Sequence, residues 1–104
     1  LDHPQHAIAY QSTPTDSRVP WTAPTVETAI ADAHRRGKRE IVVQAAGFLV
    51  DHAEVLYDLD IEALEQSKKL GINFTRAACV HDHPAFISML ADGVQNIART
   101  AQAR

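Results

Sequence analysis

The sequence predicts an α/β fold with a parallel sheet, built in the order β-α-β-α-β-α. Three observations predict it. Short apolar runs alternate with longer stretches of helical period, the connections between them are short, and the central run, Ile41-Val42-Val43-Gln44-Ala45-Ala46, is apolar on both faces. A strand that is apolar on both faces belongs to a parallel sheet covered by helices on each side, a three-layer αβα arrangement.

The first strand is Ala7-Ile8-Ala9-Tyr10-Gln11, which runs into the turn-forming cluster Ser12-Thr13-Pro14-Thr15-Asp16-Ser17. The first helix follows Pro20-Trp21. Val26, Ala29, Ile30 and Ala33 recur at its spacing, Pro24 suits its first turn, and Gly37 lies past its end beside Arg35, Arg36, Lys38 and Arg39, cations that suit a helix C-terminus. The central strand ends at Gly47. From Asp51 to Leu70 the apolar positions Val55, Leu56, Leu59, Ala63 and Leu70 share one side of a second helix, which Gly71 closes. Phe74-Thr75-Arg76-Ala77-Ala78-Cys79-Val80 supplies a third strand. Asp82 or His83 with Pro84 then starts a last helix along Phe86, Ile87, Leu90, Val94, Ile97 and Ala101.

At 104 residues the chain fits one domain, 1–104. Ten basic and thirteen acidic side chains give a formal charge of -3, so no positive field draws nucleic acid or anionic lipid. No stretch approaches the roughly 20 apolar residues of a membrane span. The lone Cys79 closes no internal disulfide and cannot alone hold an iron–sulfur cluster, which points to a reducing, cytoplasmic setting. Leu1 in place of methionine leads to the expectation that the chain derives from an internal point of something longer. No glycine pattern fits a phosphate loop, so nucleotide binding is not expected.

Ligands in parallel sheets bind outside the carboxyl ends of the strands, which singles out residues 12–21 and 47–54. On a helix advancing about 100° per residue, Asp51, Glu54, Asp58, Glu62 and Glu65 fall within a stripe of about 80°. Glu54, Asp58 and Glu62 are like charges four residues apart with no cation between them, and only Glu65 has a partner, Lys69. Such a stripe is ordinarily a solvated face. The same spacing also builds a ladder of oxygen ligands for a divalent cation. His52, beside Asp51 and Glu54, adds a group that titrates near neutrality; the alternative is helix capping. The zinc-deaminase pattern that also pairs His with Glu at this spacing lacks its two cysteines here. Trp21 could line a pocket for an aromatic ligand or pack as a lid. His81 and His83 flank Asp82 as a possible ligand pair, but the favoured reading is that of ordinary helix-start residues, and Cys79 reads as buried packing.

Over nearly its full length the chain resembles the second, C-terminal half of ferrochelatases. The resemblance rests on Tyr10-Gln11-Ser12, Pro20-Trp21, Gly47-Phe48, the run from Asp51-His52-Ala53-Glu54 to Asp58-Leu59-Asp60, and Asp82-His83-Pro84-Ala85-Phe86. Gln44-Ala45-Ala46 departs from the family's proline-containing strand end, and His81 stands where asparagine is common.

The resemblance implies a flavodoxin-like, chelatase-like domain of a haem-biosynthesis lyase that inserts ferrous iron into a porphyrin such as protoporphyrin or coproporphyrin. It implies Glu54 as the active-site glutamate, assisted by His52 and Asp51, with Asp58 and Glu62 continuing an acidic path for metal or protons and Trp21 beside the macrocycle. Iron is then a substrate, and no tightly bound cofactor is expected. The family's essential histidine belongs to the first half, so the isolated chain is expected to be inactive without that N-terminal half or a second subunit. A non-catalytic tetrapyrrole- or metal-binding domain, or a half-size chelatase acting as a dimer, are the competing readings.

Overall fold

The computed structural model describes residues 5–14, 16 and 18–104. Residues 1–4, Thr15 and Ser17 lie outside the described residues, the last two within the predicted turn cluster. The elements are α1 (Val26–Arg35), β1 (Glu40–Gln44), α2 (Ala53–Val55), a π-helical segment (Leu56–Ala63), α3 (Leu64–Lys69), β2 (Asn73–Ala77) and α4 (Pro84–Gln102). β1 and β2 pair in parallel with Glu40 opposite Asn73 and Gln44 opposite Ala77.

Two helix ends follow directly from local chemistry. Gly37 and Gly71 adopt φ of 77° and 70°. At each the chain reverses with paired bonds to the last helical turn: Gly37 N–H to His34 O and Lys38 N–H to Ala33 O, then Gly71 N–H to Lys68 O and Ile72 N–H to Ser67 O. This double bond pattern satisfies carbonyls that the helix itself leaves open, and glycine takes the left-handed position without a Cβ clash. At the other ends, the Thr25 hydroxyl caps α1 and His83 caps α4, with Pro84 in its first turn. Pro24 precedes the cap of α1 rather than entering its first turn.

The core is Val26 and Ile30 of α1, Ala45 after β1, Val55, Leu59 and Ala63 of the second helical stretch, Ile72 and Cys79. Ile41, Val43 and Phe74 press against this cluster from one face of the sheet. The other face is open: Val42 is 75% exposed. The described residues therefore form a mixed helix and strand structure around a two-stranded parallel sheet covered on one face, where the apolar central run predicted cover on both.

The predicted first strand joins no sheet among the described residues. Tyr10 makes an isolated parallel bridge with Thr25, its N–H donating to Pro24 O at 2.9 Å and its carbonyl accepting from Val26 N–H at 3.0 Å. The physical reason lies in the side chains. Ala7 and Ala9 offer little area to bury, and Ile8 is 71% exposed, so the segment is tied to the start of α1 instead of extending the ladder.

α4 forms where its period predicted, yet none of its residues is buried. Ile87, Leu90, Val94 and Ile97 are all exposed. The chain is correspondingly extended, with a radius of gyration of 18.0 Å against about 13 Å for a compact domain of this length. No helix among the described residues is long and apolar enough to cross a membrane.

Candidate functional site

The segment after β1 carries the candidate residues, and its start is fixed by His52. With extended backbone, the His52 ring accepts at Nδ1 from the Glu54 N–H at 3.2 Å and the Val55 N–H at 3.5 Å. The neutral ring therefore carries its proton on Nε2. Phe48 meets this ring edge-on at 4.4 Å. The capping role is thus realised, with Nε2 as the remaining nitrogen for proton exchange.

Beyond Val55 the helix widens. The i→i+5 register runs over Leu56–Ala63, while Leu59 and Ala63 stay in the core. The predicted single α-helix from Asp51 to Leu70 is thus three consecutive pieces, and Asp51 precedes them rather than heading their acidic stripe. The i→i+5 and i→i+4 registers differ by one hydrogen-bond step, which apolar spacing over eight residues does not distinguish.

On the outward side of this stretch, Glu54 and Asp58 meet the loop that follows the first predicted strand. The Ser12 hydroxyl lies 2.5 Å from Glu54 Oε1 and also contacts Asp58 Oδ2, while Gln11 Nε2 donates to Asp58 Oδ2 at 3.3 Å. Ser12 takes a φ of 61°, sparsely populated for a residue with a Cβ, and such positions persist when the surroundings demand them. One hydroxyl proton cannot serve two carboxylates. Glu62, also on the π segment, is exposed.

On the other side, a second group of charges is closed. Arg76 near the end of β2 grips Asp60 with both prongs of its fork, Nε to Oδ1 at 2.6 Å and Nη2 to Oδ2 at 2.9 Å. Its Nη1 donates to Asp51 Oδ1 at 2.8 Å. Asp51 also accepts from the Cys79 N–H at 3.1 Å, and His81 Nε2 stands 2.9 Å from its other oxygen. Hydrogen bonds from His81 and Cys79, with the Arg76 charge, hold the Asp51 carboxyl below the usual carboxylate range. The same carboxylate and burial push the Cys79 thiol up, and Asp60 raises the Arg76 guanidinium.

The structure thus brings Glu54 and Asp58 together and sends Asp51 elsewhere, its oxygens taken by Arg76, Cys79 and His81. Trp21 is 52% exposed. Among the described residues, no three His, Cys, Asp or Glu side chains gather as a metal site. Gln11, Asp60 and Arg76 carry no functional expectation in the sequence, and Ser12 stands there only as the first residue of a singled-out loop. For Arg76 a signal was available: an arginine inside an otherwise apolar strand must find a carboxylate.

The ferrochelatase family model matches residues 1–98. The chain belongs to the ferrochelatase family. It is 42% identical over 72 residues to the ferrochelatase of Acidobacterium capsulatum, covering 69% of this chain and 22% of that protein. To the coproporphyrin III ferrochelatase of Propionibacterium freudenreichii it is 39% identical over 89 residues, 86% of this chain and 25% of that one. To the Thermus thermophilus ferrochelatase it is 36% identical over 92 residues, 88% and 29% of the two. The chain spans about a quarter of the length of the ferrochelatases it matches.

Proposed function

We propose that this chain supplies the C-terminal part, residues 1–104, of a porphyrin metallation cleft. In this role it presents Glu54 to a porphyrin, such as protoporphyrin or coproporphyrin, that receives ferrous iron. The observation that carries the reading is the Glu54–Ser12–Asp58 contact, two carboxylates around one hydroxyl at the carboxyl end of a parallel strand. That arrangement suits transient handling of a divalent cation or of protons leaving pyrrole nitrogens.

In this reading Glu54 exchanges protons or touches the metal, and Asp58 and Glu62 continue the path along the π segment. His52 sets the helix start and can pass a proton from Nε2. Trp21 lines the macrocycle. Iron is a substrate, and no resident cofactor is needed. Asp51, with both oxygens engaged, serves the helix start rather than the metal. The complete fold in this reading is flavodoxin-like with three layers, the open sheet face and the α4 stripe being covered by the upstream half or by a second subunit. Ile87, Leu90, Val94, Ile97 and Ala101 alternate in steps of three and four residues, a seam suited to another helix. The setting is cytoplasmic haem biosynthesis.

The test is metallation by a protein in which an upstream ferrochelatase half precedes this chain. Glu54→Gln should lower kcat by about 10²–10⁴, the range for loss of a positioned acid–base group. Unchanged metallation in that variant would make this chain a tetrapyrrole- or metal-binding domain that takes no part in the chemistry. Metallation at full rate by the isolated chain would refute the need for a partner.

A further inference from the structure

We propose that Arg76 is a positioning residue for the Glu54–Asp58 pair, fixing the rotation of the π segment so that Asp58 lines up with Glu54, one turn earlier in α2, toward Ser12. The inference rests on the reading that this pair handles metal or protons.

Arg76 grips the segment at two points that bracket the pair. Asp51 lies three residues before Glu54 and Asp60 two residues after Asp58. Two residues span roughly half a turn in either register, so Asp60 and Asp58 point to nearly opposite sides. Holding Asp60 against β2 therefore aims Asp58 away from the sheet, where the loop of Gln11 and Ser12 receives it.

The clamp is built for direction as well as charge. The Arg76 side chain is only 13% exposed, and the fork bonds Asp60 through two nitrogens while the third reaches Asp51. A lysine would offer one point charge and could not hold both acids in a plane. Asp51 is itself pinned to the strand end by the Cys79 N–H and His81, so the grip is anchored on the sheet. Without it the wide π turn is free to close to α register, which rotates Asp58 relative to Glu54 ahead of it. Asp60 has no cation one turn away on its own helix, so the register depends on this contact from β2.

The experiment compares the 104-residue chain with Arg76→Gln, Arg76→Lys and Asp60→Asn. It reads amide hydrogen exchange residue by residue and Zn²⁺ affinity by calorimetry. Arg76→Gln should raise exchange selectively over residues 53–63, leaving 27–35 and 40–44 near wild type, and weaken Zn²⁺ binding by up to about 10–100-fold, the range for residues that orient metal ligands. Arg76→Lys should fall between. If Arg76→Gln does not fold, Asp60→Asn, which removes one of the two grips, carries the same expectation at smaller size.

Wild-type exchange over 53–63 in a folded Arg76→Gln or Asp60→Asn variant overturns the inference. So does a uniform rise across all elements, which would make Arg76 a general structural residue. A selective rise with no Zn²⁺ binding even by the wild-type chain upholds the positioning role and removes the metal reading. Loss of Zn²⁺ binding in Glu54→Gln, with Arg76→Gln unchanged in both readouts, does the reverse.

Discussion

Leu59→Ala and Val42→Thr together test whether the core lies on one side of the sheet. Leu59 is 1% exposed, among Val26, Ile30, Val55, Ala63 and Ile72. Truncating a buried leucine costs about 2–5 kcal/mol, depending on how far the neighbours collapse into the gap. Here Ala45 and Ala63 have little side chain to move, which places the expected loss at about 3 kcal/mol or more. A domain of this size holds about 5–15 kcal/mol, and one with an open sheet face and an uncovered helix belongs at the low end. With a urea slope of about 1.5 kcal/mol/M, the midpoint should fall by about 2 M. Val42→Thr keeps the β-branched shape and adds a hydroxyl. At an exposed site that change stays within about 0.5 kcal/mol, whereas a buried hydroxyl without a partner costs about 1–3 kcal/mol. Urea unfolding followed by far-ultraviolet circular dichroism separates the two. A midpoint shift above about 1 M in Val42→Thr would mean that the second face is covered, and the one-sided core described above would be wrong.

Asp51 has a folded-state pKa below its ordinary value of 3.8, so its contribution to stability is present above about pH 4 and is lost as pH falls toward the folded value. Urea midpoints between about pH 5 and pH 2 should therefore drop in the wild type and drop less steeply in Asp51→Asn; equal slopes would refute the assignment. Cys79 is buried and its thiol is pushed up by Asp51, so alkylation of the native chain at about pH 8 should be far slower than in urea. Asp51→Asn should hasten that alkylation, and a native rate equal to the unfolded one would contradict the packing around Cys79.

The elements that read clearly from the sequence are those set by local chemistry. Gly37 and Gly71 mark helix ends because only the chain's own turn is involved, and α1 and α4 follow the 3.6-residue period of their apolar side chains. The features that did not read depend on partners distant in sequence. Ala7 to Gln11 has strand composition, but whether it joins a ladder depends on what lies beside β1. Val42 is as apolar as Val43, so composition could not tell the open face from the covered one. The π register leaves no mark on apolar spacing, because Leu59 and Ala63 remain inward in either hydrogen-bond pattern.

The acidic stripe shows how a pattern along one helix can be incomplete as chemistry. Along one helix, Glu54, Asp58 and Glu62 are unrelieved like-charge neighbours, each pair costing about 0.2–0.5 kcal/mol. The fold relieves other acids instead. Asp60 takes two prongs of Arg76, and Asp51 takes the third along with the Cys79 N–H and His81. Glu54 and Asp58 receive a single hydroxyl proton and one amide. A merely solvated face would let these two carboxylates drift apart into water. Here the loop holds Ser12 in a left-handed conformation with its hydroxyl between them. In the proposed reading, charge neutralised behind the helix and left open in front of it makes the front the side that meets a cation or proton. That asymmetry depends on Arg76, which reaches the helix from β2 and so leaves no trace in the spacing of the stripe itself.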